Sequence, residues 1–166
     1  MKMKYLKILC ATAIISIFSL NVYADEVKIS ILSTKNNQSM GVIVAADTPQ
    51  GLLLKPDLSG LTEGLHGVHI HENPACGNHG DDAGPHWDPM STKTHLGPYD
   101  SGHLGDLPAI YADKAGNAVL PVLAPHLTVS MLRGHSIIIH AGGDNYSDEP
   151  PLGGGGARIG CGVISP

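Results

Sequence analysis

The sequence has almost no bulky aromatic side chains. Its 166 residues include one Phe and one Trp, and aromatic residues make up only 4% of the chain. The single Phe is Phe18, close to the N-terminus, so the rest of the chain cannot build a core from stacked phenyl rings. Val, Ile, Leu and Ala must fill that core, and such side chains suit thin β layers.

Positive charge is also scarce. Ten Lys and Arg residues oppose fifteen Asp and Glu residues, a formal net charge of −5. Three of the lysines lie within the first seven residues, so residues 25–166 hold seven basic and fifteen acidic side chains, a formal −8. The sequence shows no basic patch, which excludes an attraction for nucleic acid or for anionic lipid.

Long apolar runs are missing except near the N-terminus. Ile8–Leu20 is a mostly apolar run of 13 residues that follows three lysines and precedes the modest side chains of Val22–Ala24. The run is too short to span a bilayer as a mature helix. Residues 1–24 are therefore predicted to be a secretory signal peptide, cleaved after Ala24, and residues 25–166 a single domain with no membrane association.

Cysteine is limited to three residues, and Cys10 belongs to the predicted leader. Export places Cys76 and Cys161 in an oxidising compartment, which favours a disulfide between them. Two free structural thiols are the alternative. A bond that closes this 85-residue loop would stabilise the fold by about 4–5 kcal/mol.

No stretch has a helical period. Short apolar or alternating runs predict strands instead, and turn residues separate them. Two long stretches, residues 73–107 and 142–156, have no period at all. This pattern predicts an all-β antiparallel sandwich or flattened barrel with two long loops. The predicted strands cover residues 27–31, 41–44, 52–54, 65–72, 109–111, 118–120, 136–140 and 157–164.

Histidines are abundant. On an extended strand, His69 and His71 lie on one face with Val68 and Ile70 on the other, and their side chains are about 7 Å apart. Two polar residues on a solvated strand face are the alternative interpretation. The density of further ligands favours a metal centre, since seven candidates fall within 72 residues: His69, His71, His86, His95, His103, Asp106 and His140.

The ligand types point to two different metals. Imidazoles without a thiolate suit Cu(II), and three imidazoles with one carboxylate suit tetrahedral zinc. Seven ligands therefore divide into two sites that share one histidine. A loop of 35 residues without secondary structure is unusual in a compact domain, and a metal together with a disulfide would hold it.

Six motifs resemble the bacterial periplasmic copper–zinc superoxide dismutases. The resemblance covers essentially all of residues 25–166 and is weakest over residues 25–64. The motifs are His69-Ile70-His71, His86-Trp87-Asp88-Pro89, His95-Leu96-Gly97-Pro98, His103-Leu104-Gly105-Asp106-Leu107-Pro108, His140-Ala141-Gly142-Gly143-Asp144-Asn145 and Gly153-Gly154-Gly155-Gly156-Ala157-Arg158.

This resemblance implies an eight-stranded Greek-key barrel and a role for each motif residue. It implies Asp144 as the carboxylate that orients His69 and His95, Arg158 as the cation beside copper, and a Cys76–Cys161 disulfide. The implied copper ligands are His69, His71, His86 and His140, and the implied zinc ligands are His86, His95, His103 and Asp106, with His86 as the bridge.

The resemblance also implies the chemistry. Superoxide is dismutated to dioxygen and hydrogen peroxide at copper, while zinc has a structural and electrostatic role. Arg158 docks the anion, and His86 carries a proton to the nascent peroxide. The implied setting is a homodimer in the periplasm that protects the cell envelope from superoxide.

Some features depart from the family pattern. Only nine residues separate Cys76 from His86, Trp87 replaces a smaller aliphatic residue and is expected to pack, and Ser147–Leu152 lacks a lysine that would steer superoxide. Four histidines have no assigned role: His66, His79, His126 and His135. His79, with Asp81 and Asp82 nearby, is a candidate for an auxiliary metal site.

Two other functions compete. A copper or zinc carrier on the same scaffold would use the ligands but leave Arg158 and the shared His86 without a role. A zinc hydrolase of the H-x-H-x-D type would need an acid where Asn73 stands.

Overall fold

We describe residues 25–166 in a computed structural model of the protein. The predicted signal peptide, residues 1–24, lies outside the described residues. Nine strands carry the fold: β1 (Glu26–Ser33), β2 (Ser39–Thr48), β3 (Gly51–Leu58), β4 (Gly64–His66), β5 (Val68–His71), β6 (Ile110–Ala112), β7 (Val122–Ala124), β8 (Ser136–His140) and β9 (Arg158–Val163). The short helix α1 (Val129–Leu132) and two 3-10 segments, Asn78–Ala83 and Pro151–Gly154, complete the described elements. None of these helices is long and apolar enough to cross a membrane.

The strands form one curled sheet and a small second one. Seven strands follow the order β5-β8-β9-β1-β2-β3-β7, and β4 pairs with β6. All pairings between these strands are antiparallel. The predicted fold class is therefore confirmed. The strand count is nine rather than eight because the single strand predicted over residues 65–72 is divided at Gly67, with β4 and β5 in different sheets.

The core is built mainly from aliphatic side chains, as the scarcity of aromatic residues predicted. Its largest fully buried members are Ile and Leu, and the buried hydrophobic residues between 25 and 166 include no aromatic side chain. Along β1 the alternation is strict, since Ile29 and Ile31 are buried while Lys28 and Ser30 face solvent. Strand β5 contributes Val68 and Ile70 to this core, so its opposite face is open to polar side chains.

One predicted strand is misplaced. We expected residues 118–120 to form it, but Val119 and Leu120 are 54% and 58% exposed, and only Ala118 makes an isolated bridge, to Leu58. The strand that pairs with β3 is β7, further along the chain. In sequence, residues 118–120 look like a strand as much as Val122–Ala124 does. The pairing with β3 shows that Val122–Ala124 forms the strand.

Candidate metal centre

Strand β5 supplies two of the candidate ligands. All four of its residues are buried: Val68 and Ile70 pack in the hydrophobic core, while His69 and His71 lie on the opposite face with ring centroids 6.2 Å apart. Strand β8 runs beside β5 with Ile138 opposite His69. It ends at His140, whose ring centroid is 4.8 Å from that of His69. Three imidazoles are thus fixed by the sheet itself.

The long loop brings two more ligands to β5 by backbone hydrogen bonds. His86 forms an antiparallel bridge with His71, and Asp106 forms one with His69. The N–H of Ile70 donates to the carbonyl of Gly105 at 2.8 Å. A side chain at position 105 would collide with the Ile70 carbonyl oxygen, so a glycine is required where the loop approaches the strand.

A single carboxylate links the two halves of the cluster. Asp144 Oδ2 accepts a hydrogen bond from His69 Nε2 at 2.6 Å, and its Oδ1 accepts one from His95 Nε2 at 2.8 Å. Gly153, at φ +73, lies against this pair, and a Cβ there would overlap Asp144 and His95. The glycine run is therefore required by close packing at the site.

Five buried ring nitrogens in the cluster have no hydrogen-bond partner. The other nitrogen of the same ring donates to a carbonyl or carboxylate in four cases, including His71 Nδ1 to Gly84 O at 2.9 Å and His140 Nδ1 to Gly156 O at 3.0 Å. In a neutral ring, each such bond fixes the tautomer, and the other nitrogen then offers a lone pair to the cluster. The unpartnered atoms are His69 Nδ1, His71 Nε2, His95 Nδ1, His103 Nδ1 and His140 Nε2. Buried lone pairs that converge in this way fit metal ions.

The candidate ligand atoms fall into two groups that share His69 and His86. Atoms within 4.8 Å of one another come from His69, His71, His86 and His140 in one group, and from His69, His86, His95 and Asp106 in the other. Asp106 Oδ1 is 3.0 Å from His86 Nδ1 and 3.5 Å from His103 Nδ1. The structure thus brings six of the seven residues singled out in the sequence into these groups. His103 belongs to neither group and reaches the cluster through its approach to Asp106.

Electrostatics differ between the two groups. Burial lowers the pKa of His69 to about 3, of His71 to about 2 and of His140 to about 4, and it also lowers the pKa of His86. These imidazoles are neutral at physiological pH, so protons do not compete there for the lone pairs.

His95 behaves in the opposite way. Burial disfavours its charged form, yet the hydrogen bond to Asp144 and the negative charges of Asp144 and of Asp106, whose Oδ1 is 2.9 Å from His95 Nδ1, outweigh that cost and raise its pKa to about 9. In spite of their burial, the pKa values of Asp106 and Asp144 are lowered by the hydrogen bonds from their histidine partners. His95 therefore carries a proton in the metal-free protein.

Arg158 is held next to the first group by two backbone carbonyls. Its Nη1 donates to Gly80 O at 2.7 Å and its Nη2 to Gly84 O at 2.8 Å. Gly84 O also accepts the bond from His71, so one carbonyl orients both side chains. The loop that carries these glycines is tied to β9 by the Cys76–Cys161 disulfide, which confirms the predicted bond. Sequence patterns did not indicate Gly84, because a carbonyl acceptor has no side-chain signature.

The unassigned histidines fall outside the ligand groups. His66, at the end of β4, is buried, and its Nδ1 and Nε2 lie 2.7 and 2.9 Å from the carbonyl oxygens of His140 and Thr62. Its contact with the candidate ligand His140 is therefore made through the backbone carbonyl. His135 packs against Trp87 with ring centroids 4.4 Å apart and ring planes tilted by 37°, so Trp87 does pack against its own chain. Among the residues from 25 onward, no group of three candidate ligands includes His79.

The barrel and its buried ligand cluster define a β-barrel metalloprotein with two adjoining metal sites. A family model described as copper/zinc superoxide dismutase (SODC) matches residues 39–164. The chain belongs to this family, whose metals are copper and zinc.

Individual relatives agree with the family match. The chain is 48% identical over 149 residues to a copper–zinc superoxide dismutase of Legionella pneumophila, covering 89% of this chain and 92% of the relative. It is 49% identical over 168 residues to superoxide dismutase [Cu-Zn] 1 of Salmonella typhimurium strain 4/74, covering 94% and 95%.

Solved structures show the same fold. The copper/zinc superoxide dismutase from Brucella abortus superposes with a TM-score of 0.81 at 41% identity and covers 85% of this chain and 100% of its own. The solution structure of the monomeric copper, zinc superoxide dismutase from Salmonella enterica gives a TM-score of 0.75 at 40% identity with the same coverage.

Proposed function

We propose that this protein dismutates superoxide, converting two superoxide anions and two protons into one dioxygen and one hydrogen peroxide. The observation that carries the proposal is the convergence of five buried, unpartnered ring nitrogens around His86. Membership of the copper/zinc superoxide dismutase family supports the same activity.

The geometry favours a division of the ligands between two metals. His69, His71, His86 and His140 would hold copper, and His86, His95, His103 and Asp106 would hold zinc, with His86 shared. The hydrogen bond between His86 Nδ1 and Asp106 supports assigning both residues to the zinc set. When bound, copper supplies a one-electron couple and zinc supplies a fixed positive charge beside it.

The side chains supply docking and a proton. Two of the five guanidinium N–H groups of Arg158 are used by Gly80 and Gly84, and the others are available to a small anion. His86 can hold a proton at Nε2 in one half of the cycle and donate it to peroxide in the other. Asp144 fixes the tautomers of His69 and His95 and so keeps their lone pairs aimed at the metals.

Metal analysis combined with a superoxide assay tests this function. The purified protein loaded with one copper and one zinc should consume superoxide, and removal of copper alone should abolish the activity. A carrier on the same scaffold would bind both metals without consuming superoxide. Activity that survives complete copper removal would exclude the proposed chemistry.

The remaining proposals concern the setting of the protein. We propose that residues 1–24 are a signal peptide and that the mature domain acts in the periplasm, where it protects the envelope. The bacterial relatives and the disulfide are compatible with that setting. N-terminal sequencing of protein recovered from the periplasm should begin at Asp25.

We also propose a homodimer, with exposed apolar side chains as support: Leu65 and Tyr111, directly opposite each other on β4 and β6, are 54% and 44% exposed. A structurally similar relative is monomeric. Sedimentation equilibrium should give twice the mass of the mature chain, and a mass that stays at one chain over the micromolar range would exclude the dimer.

A further inference from the structure

A cleft of about 720 Å³ opens beside Arg158 and is separate from the ligand cluster. It is formed by the turn between β1 and β2, the segment after β3 and the first residues of β9. We call it the basic cleft; it is lined by residues 33–36, 38–40, 59, 60, 62, 79, 141 and 157–159. Its volume is typical of small-molecule sites and far exceeds that of the two atoms of superoxide.

The charge of the basic cleft is opposite to that of the protein. Residues 25–166 hold seven basic and fifteen acidic side chains. Two of the seven cations, Lys35 and Arg158, line the cleft together with His79, and none of the fifteen acids does. Charges of one sign gathered in a concave site concentrate the potential there. The cleft therefore attracts anions although the whole chain repels them.

Its surface combines apolar and polar groups. Met40, which is 8% exposed, and Ile159 present apolar surface, while Ser59 and Thr62 supply hydroxyl groups from the segment after β3. A mainly apolar wall with a few polar groups is the usual construction of a site for an organic ligand.

The walls are held in place before any ligand arrives. Thr34 donates from its backbone N–H to Ile159 O at 3.1 Å and from Oγ1 to Arg158 O at 2.7 Å. His79 Nδ1 donates in turn to Thr34 O at 3.2 Å. Thr34 is thereby fixed beside Ile159 and Arg158, and Lys35 is the next residue in the turn.

We propose that the basic cleft binds an organic anion with a phosphate or carboxylate head and a short apolar body. The head pairs with Lys35 at the rim, and the body lies on Met40 and Ile159. The site goes beyond superoxide dismutation and does not depend on it, since its ligand is neither superoxide nor a metal. An occupant would lie directly beside Arg158.

Calorimetric titration of the copper- and zinc-loaded protein tests the proposal with three probes. Hexyl phosphate carries both features, inorganic phosphate the charge alone, and 1-hexanol the apolar body alone. Hexyl phosphate should bind at least tenfold more tightly than either, because each buried methylene adds about fourfold to affinity. Equal affinity for hexyl phosphate and inorganic phosphate, or for hexyl phosphate and hexanol, would overturn it.

Variants locate the binding. Lys35→Gln should weaken the binding of hexyl phosphate about fivefold. Lys55→Gln removes a charge outside the cleft and should change this affinity less than twofold. Ser59→Glu places an acid in the cleft and should abolish binding, while Ser130→Glu, at an exposed position on α1, should not. Neither Lys35 nor Ser59 is buried, so these variants should fold. Unchanged affinity in Ser59→Glu would show that the ligand binds elsewhere and would refute the site.

Discussion

The two ligand groups differ in protonation, because His95 in the zinc group carries a proton and the imidazoles of the copper group do not. Zinc must displace this proton, whose pKa is raised to about 9. The copper group is already neutral above pH 5, because burial holds the pKa values of His69, His71 and His140 between about 2 and about 4. Protons therefore compete with zinc, but not with copper, over the physiological range.

We predict that the zinc affinity of the metal-free protein rises about tenfold per pH unit from pH 6 to pH 8, since one proton leaves per zinc bound. Competition with a chelator of known pH dependence measures it. Asp144→Asn removes one acceptor that raises the His95 pKa and should make the slope shallower. A zinc affinity that is constant between pH 6 and pH 8 would contradict the protonated state of His95.

His140 tests the division of ligands. It belongs to the copper group alone, and the backbone of β8 holds its position. His140→Ala should lose dismutation and copper but keep one zinc per chain, at a cost in stability of about 1–2 kcal/mol. His103→Ala is the matched variant and should lose zinc first. The copper and zinc contents of both purified variants test this division. Loss of both metals from His140→Ala would refute two separable sites.

Arg158 tests anion docking. Arg158→Lys keeps a cation but loses the second carbonyl contact, and should cost roughly threefold to tenfold in kcat/KM. Arg158→Glu reverses the field beside copper and should cost at least about a hundredfold. Pulse radiolysis measures both rates. Equal losses in the two variants would show that geometry matters there and charge does not.

At the scale of elements, β5 anchors the long loop. Backbone bonds pair residues 85–87 and 105–107 with this strand, whereas residues 88–104 have no strand beside them. The disulfide adds a tether at Cys76, and zinc would add further ones through His95 and His103. Order in the loop thus comes from β5, a covalent bond and a metal together.

We predict that reduced, zinc-free protein is cleaved first between residues 88 and 104. Exposed Met90 and Lys93 lie in this segment. Without the disulfide and the metal, the segment is held only by hydrogen bonds such as that from His95 to Asp144. Limited proteolysis with mass spectrometry identifies the cut. Oxidised, zinc-loaded protein is the control and should resist cleavage; a first cut within β1–β3 would contradict the anchoring by β5.

Sequence patterns predicted those features of the fold and of the site that depend on the type of side chain. The alternation of Val68 to His71 gave the two faces of β5 correctly, and ligand chemistry singled out all seven residues of the cluster. Backbone contacts left no such signal. The pairing of Gly105 with Ile70, the break at Gly67 and the double acceptor role of Gly84 depend on carbonyl and amide groups that every residue carries, so only the folded chain reveals them.

At the scale of the whole molecule, the placement of cations decides how superoxide is attracted. No lysine lies between Arg133 and Arg158, so a further cation near the metal centre must come from elsewhere in the chain. The structure pairs Lys55 with Glu26 at 3.5 Å. It places Lys93 in a different cavity, beside the candidate ligands His86 and His103 but also with the opposing acids Glu72 and Asp88. Lys35, in the basic cleft, is instead the cation beside Arg158.

We therefore predict that Lys35 carries most of the salt dependence of the rate. The Debye length falls from about 30 Å at 0.01 M to about 8 Å at 0.15 M, so an exposed charge near the site is screened over this range while the partly buried Arg158 is screened less. The wild-type rate should fall roughly twofold to fivefold across it. Lys35→Gln should be slower at 0.01 M and nearly independent of salt, whereas Lys55→Gln should match the wild type. If Lys35→Gln kept the full wild-type slope, attraction would come from elsewhere on the molecule, and the charge inversion in the basic cleft would have no part in delivering superoxide.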